Sequence, residues 1–185
     1  MIAVFDANML IWLFDDRMER APVDPATGTQ TTDCKARVEN LLTSLSAKHA
    51  QVVIPAPALA EALVYIDRAK QGQIFAILRK SSVIRVEPFG DVAAAECAEL
   101  LRKRLSAGSL GDGSPGNRQL VKFDLQIVAI ANVVRANVIY SSDPGVKKLA
   151  LESGRQVVSI WELEVPTSLS QGRMFVDEER DPAAV

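Results

Sequence analysis

Asp6, Glu61, Asp124 and Asp143 are the residues of this chain whose type and placement could do chemistry together. Asp6 closes the apolar run 2–5, and Asp143 follows the run 137–142, Asn-Val-Ile-Tyr-Ser-Ser. Glu61 comes soon after Val52, Val53 and Ile54, beyond Pro55 and Pro57, and Asp124 opens the apolar segment 124–131. A short apolar run that stops at an acid reads as a buried parallel strand ending at a site. In open α/β sheets ligands bind outside the carboxyl ends of the strands, so such acids converge. Converging carboxylates repel one another and cannot all stay ionised without a cation. A hard divalent ion with oxygen ligands, Mg²⁺ or Mn²⁺, relieves that repulsion. Such an ion lowers the pKa of a bound water and supports phosphodiester hydrolysis. Each acid alone also has an ordinary explanation. Asp6, Asp124 and Asp143 sit where a helix N-cap would, Asp143 with Pro144 behind it, and Glu61 alone is a solvated helix acid. Four in one pattern point to a site.

The remaining chemistry-bearing residues narrow the field. His49 is the single histidine, and Cys34 and Cys97 have no partner at metal-ligand spacing. That excludes a His/Cys zinc centre and makes a His-dependent triad untenable. The cysteines are expected to be plain reduced thiols. Asn8, two residues after Asp6, and Ser142, beside Asp143, are expected to orient ligands or water. Lys122 and Lys147, with Lys148, are expected to contact phosphates. The triplet Arg102-Lys103-Arg104 either extends that track or is a solvated helix face. The formal net charge of −2 leaves the partner open, because a nucleic-acid enzyme needs positive charge only along its substrate track.

The elements that must position these residues alternate along the chain. Strands are expected at 2–5, 52–54, 82–86, 137–140 and 156–160. Helical spacing marks 9–14, the stretch holding Val38, Leu41, Leu42 and Leu45, then 58–68, a short helix near 74–78, and 91–107, 124–134 and 144–151. Residues 21–33 read as a loop by composition. Residues 106–117, with four glycines and a proline, read as a flexible connector or a substrate lid. Strands alternating with helices imply an α/β fold, a central parallel sheet of four or five strands with helices on both faces. The 185 residues, 48% hydrophobic, suit one domain over 1–163 with a polar, acidic tail over 164–185. No run is long enough to cross a bilayer and the first strand begins at residue 2, so a cytoplasmic protein without a targeting peptide is expected.

The motifs in order resemble the PIN-domain family. The opening 4–11, Val-Phe-Asp-Ala-Asn-Met-Leu-Ile, resembles its first motif, and 57–61, Pro-Ala-Leu-Ala-Glu, its glutamate-bearing helix start. Residues 122–131 resemble its third acidic motif, and 141–143, Ser-Ser-Asp, its last. At this length the chain is similar to the VapC-type toxins of bacterial toxin–antitoxin pairs. The resemblance implies a three-layer α/β/α fold and a Mg²⁺- or Mn²⁺-dependent endoribonuclease, with Asp6, Glu61, Asp124 and Asp143 holding the metal. It further implies an RNA substrate, a cognate antitoxin and a homodimer formed through apolar helix faces such as 9–14. The loops 15–33 and 106–117 are longer than in compact members of that group, and the acidic tail is additional. Three other readings remain: a catalytically silent RNA-binding module, a haloacid-dehalogenase-like phosphatase using Asp6 as nucleophile, and a receiver-like domain. The phosphatase family wants an acid where Asn8 stands, and a receiver wants one ending its third strand, near Glu87.

Overall fold

Buried β-branched runs and amphipathic helices alternate as the sequence pattern requires. The computed structural model describes residues 1–15, 22–106 and 115–166, with the side chains of 115–122 left outside the description. In chain order the elements are β1 (Ile2–Phe5), α1 (Ala7–Phe14), α2 (Cys34–Ala47), β2 (Gln51–Pro55), α3 (Ala56–Tyr65), α4 (Arg68–Lys80) and β3 (Ile84–Glu87). They continue with α5 (Asp91–Ser106), α6 (Pro115–Val133), β4 (Val138–Tyr140), α7 (Pro144–Glu152), β5 (Gln156–Val158) and a 3₁₀ turn, Ile160–Glu162.

The strands form one parallel sheet in the order β3-β2-β1-β4-β5. Val4 lies opposite Val53 on one side and Ile139 on the other, so the middle three strands are in step. Alternate strand residues face opposite layers. Ala3, Phe5, Val52, Ile54, Val138 and Tyr140 pack with α1 to α4, while Val4, Val53, Ile139 and Val157 pack with α5 to α7. The result is the expected α/β/α sandwich.

The chain winds outward from β1 to β2 and β3, then returns to the other side of β1 for β4 and β5. The order therefore reverses between β1 and β4, and the crevice at the carboxyl ends of those two strands is where such a sheet accepts a ligand. Phe5 and Tyr140, the last residues of the two strands, meet edge to face at 5.5 Å just beneath it.

Several boundaries differ from the sequence reading. Helix α6 starts at Pro115, so Asp124 lies well inside a helix and caps nothing. Residues 115–117 of the expected loop are helical, and the rest of it, 107–114, lies outside the described residues. Helix α3 starts at Ala56 directly after Pro55, with Pro57 in its first turn, where a proline's missing N–H costs no hydrogen bond. Strand β3 begins at Ile84, not Ser82, because the Ser81 hydroxyl accepts from the Val83 and Ile84 amides at 3.2 and 2.9 Å and makes a turn there. The short helix expected near 74–78 is longer, running from Arg68 to Lys80 and started by Asp67, whose carboxylate accepts from the Ala69 amide. Of the tail, 167–185 lies outside the described residues. No helix among those described is long and apolar enough to cross a membrane, and Cys34 and Cys97 are free thiols.

Phe5 is fully buried between the sheet and α1 to α4 and supports Tyr140. Phe5→Ala should therefore destabilise the fold by about 3–5 kcal/mol in denaturant unfolding, with the slope of the transition unchanged.

Candidate active site

Four elements bring the four acids to one crevice of about 590 Å³. Asp6 terminates β1, Asp143 follows β4, Glu61 projects from the second turn of α3, and Asp124 projects from the middle of α6. Ala7, Asn8 and Ala60 complete the floor, and Ile11, Val64, Tyr65 and Phe123 form an apolar wall, the last three well exposed.

Asp6 is the most deeply set, 3% exposed. Its Oδ1 accepts from the Ala7 amide at 2.7 Å, and its Oδ2 accepts from the Ser141 hydroxyl at 2.6 Å and the Asn8 amide at 3.0 Å. Burial nevertheless pushes its pKa up to about 6, with Glu61 and Asp143 adding repulsion against those hydrogen bonds. Asp143 caps α7: its Oδ1 accepts from the Gly145 and Val146 amides at 2.7 and 3.0 Å. The cap reading of Asp6 and Asp143 is therefore correct as far as it goes.

It does not reach the other two. Asp124 and Glu61 sit inside helices, and neither accepts a hydrogen bond from any described residue. Partial burial, then the charges of Asp143, Asp6 and Glu61, raise Asp124 to about 7, with Arg104 pulling the other way. Burial and then Asp143 also raise Glu61. The charge of Asp143 bears on each of the other three acids, and Asp124 feels all the rest.

Gly145 makes the closest part of the cluster possible. A Cβ at that position would lie 2.3 Å from Asp124 Oδ2 and 2.9 Å from Asp143 Oδ1. The two carboxylates thus crowd the space a side chain would occupy at the start of α7.

The donor set is carboxylate oxygen throughout, which suits a hard divalent cation. Among the described residues no three acid, histidine or cysteine side chains stand close enough to hold a metal ion as they are. Asp6 and Asp143 spend oxygens on amides and hydroxyls, whereas Asp124 and Glu61 are uncommitted and repelled. Asp6, Glu61, Asp124 and Asp143 could hold a cation whose charge draws them inward.

The supporting residues are divided differently from the sequence reading. Asn8 does touch Asp6. Ser142 does not: its hydroxyl accepts from the Ile160 amide at 2.9 Å. The serine at the acids is Ser141, fully buried, which donates to Asp6 and accepts from the Asp143 amide at 3.0 Å. Lys147 lines a neighbouring cavity and Lys148 is exposed, while the Lys122 side chain lies outside the description. Of the basic triplet, Arg102 pairs with Glu99 on the exposed face of α5 and Lys103 is exposed. Arg104 turns inward toward the field of Asp124 and lies 3.9 Å from Glu152.

No family model matches the sequence, and no curated protein is similar enough to pair with it. Solved structures do match in shape. One is a chain from the crystal structure of VapBC2 from Rickettsia felis bound to a DNA fragment from their promoter, with a TM-score of 0.56 at 16% identity. The match covers 86% of this chain and 98% of that one. At that identity the likeness establishes the fold, and the five-stranded parallel sheet flanked by helices is consistent with a PIN-like domain.

Two outcomes follow from the geometry. Gly145→Ala should leave the melting temperature within a few degrees of wild type, since the added methyl meets side-chain oxygens rather than backbone. It should expel Asp124 from the crevice, so that the carboxyl titrates well below about 7 in a ¹³C-detected NMR titration. The second concerns pH. Asp6 and Asp124 are raised to about 6 and 7 when folded, from an ordinary 3.8. Between pH 4 and 7 the folded chain therefore binds more protons than the unfolded one, and metal-free stability falls as pH rises through that window. Asp124→Asn should flatten the decline in a series of thermal melts.

Proposed function

We propose that this chain is a divalent-cation-dependent endoribonuclease of the VapC type, acting as the toxin of a toxin–antitoxin pair. RNA is the substrate and a cognate antitoxin the controlling partner. The observation that carries this reading is the placement of Asp124 and Glu61. Neither serves the fold as a cap or hydrogen-bond acceptor among the described residues, yet both point repelling charge into the crevice where Asp6 and Asp143 stand. Groups that cost stability and serve no structural purpose mark a functional site. The shape match to a chain of a VapBC2 complex supports the same reading.

Asp6, Glu61, Asp124 and Asp143 would hold Mg²⁺ or Mn²⁺, which when bound supplies an activated water and neutralises charge on the phosphate. The chain's own residues do the rest. Ser141 and Asn8 fix the Asp6 carboxylate, and Asp143 is fixed by the first amides of α7. The wall of Val64, Tyr65 and Phe123 gives the substrate an apolar face beside the acids. A homodimer through residues 9–14 has limited surface to draw on. Met9, Leu10 and Trp12 are already buried in the chain's own core, leaving only the part-exposed Ile11, Leu13 and Phe14.

The phosphatase alternative asks Asp6 to act as a nucleophile. Its 3% exposure and the engagement of both oxygens argue against that role.

The deciding experiment incubates the full chain, purified free of partner protein, with a labelled structured RNA pool in Mg²⁺, Mn²⁺ or EDTA. Wild type should cut with metal and not with EDTA. Asp6→Ala and Asp124→Asn should each lower the rate by at least about 100-fold, and Ser141→Ala, which orients a ligand, by about 10–100-fold. Folded, partner-free protein that cuts nothing with either metal would end the nuclease reading in favour of a silent binding module.

A further inference from the structure

A second cavity of about 430 Å³ adjoins the crevice and shares Asn8 and Asp143 with it. We propose that it seats the base of an RNA nucleotide next to the scissile phosphate, and so selects the sequence that is cut. The proposal rests on the nuclease reading and specifies its substrate.

Its walls are flat and rigid: Trp12 from α1, Trp161 from the 3₁₀ turn, and Pro22 and Pro25 from the loop between α1 and α2. Aromatic faces of this kind stack on any base and contribute substantially to single-strand binding. Hydrogen bonds at the base edge then decide which base is accepted. Two residues of the lining, Trp12 and Asn8, each carry an unpaired polar atom that lies beneath the cavity surface. The Trp12 indole N–H and the Asn8 side-chain carbonyl are both buried and, among the described residues, have no hydrogen-bond partner. The Asn8 orientation is set by its amide nitrogen, which donates to Asp6 Oδ2 at 3.0 Å and approaches Ser141 Oγ at 3.4 Å. Its oxygen is therefore turned away from the carboxylate. Buried groups left this way are costly to the free protein. Lys147, also on the wall, supplies a cation for the adjoining phosphate.

The cavity is built before any ligand arrives. Ser142 Oγ takes the Ile160 amide, and Glu162 takes the Ser159 amide at 2.7 Å, so the turn bearing Trp161 is anchored at its start. The opposite wall is held by its own backbone: the Thr31 amide donates to the Pro22 carbonyl at 2.7 Å and the Asp24 amide to the Thr29 carbonyl at 2.9 Å. Gly28, at φ +70°, makes the tight return that permits this. Preorganised walls spare the ordering cost of binding.

The chain has only two tryptophans, and both line this cavity, so intrinsic fluorescence reports on it selectively. The four ribonucleoside 5′-monophosphates and ribose 5-phosphate would be titrated into the full chain in EDTA, where metal-dependent cleavage is off. One or two of the nucleotides should give a saturable change, and ribose 5-phosphate none. Lys147→Ala should weaken the apparent affinity about tenfold. Trp161→Ala should abolish the response of the preferred base, and Trp161→Phe should largely restore binding, read by competition. In RNA cleavage, Trp161→Ala should still cut with metal but with a flattened base preference beside the cut. No nucleotide response, an equal response to ribose 5-phosphate, or an unchanged cleavage profile in Trp161→Ala would overturn the proposal. A selective nucleotide response in a wild-type chain that cuts no RNA would instead uphold the pocket and remove the nuclease reading.

Discussion

The burial of Asp6 is the constraint on which the rest of the structure depends. A carboxylate at 3% exposure survives only if its oxygens are met, and here they are met from two distant parts of the chain. The Ala7 amide and the Asn8 side chain tie it to the first turn of α1, and Ser141 ties it to the end of β4. The same contacts fix how β1 leaves the sheet and how close β4 must come. They also explain why the acids crowd: Asp143 follows Ser141 by two residues, so the serine that stabilises Asp6 also brings a second acid beside it.

The parallel sheet makes this crowding general. All five strands end on the same side, and the winding reverses between β1 and β4, so the acids after those strands share one crevice. Asp124 and Glu61 enter from helices on opposite layers, α6 and α3, which touch across the strand ends. Four charges from four elements therefore meet without any one loop having to fold around them. Rigid elements hold such a site more closely than loops do.

Much of this was legible in the chain itself. The layered architecture follows from apolar runs of strand length alternating with helical spacing, and Asp6 and Asp143 stand out because each stops such a run. Asp124 was recognisable as an acid of the cluster but not as a mid-helix residue, because the glycines and proline of 106–117 hid the start of α6. Adjacency to Asp143 makes Ser142 visible in the sequence, whereas the role of Ser141 in facing Asp6 depends on the β1–β4 pairing of Phe5 with Tyr140. Gly145 carries no signal of its own: only the space taken by Asp124 and Asp143 reveals why a side chain is barred there. Trp12 and Trp161 stand far apart in the sequence, and only the fold brings both to one cavity.

The position of β1 in the middle of the sheet has a consequence for synthesis. The strand and its acid are made first, but one flank of β1 stays open until β4, residues 138–140, has been made. Before then Asp6 lacks Ser141, and Asp143 does not exist. A chain whose synthesis has not passed Asp143 thus carries no complete acid cluster, and a product truncated before that residue lacks one. Whatever hydrolytic power the cluster has is withheld until β4 and the acid that follows it have been made.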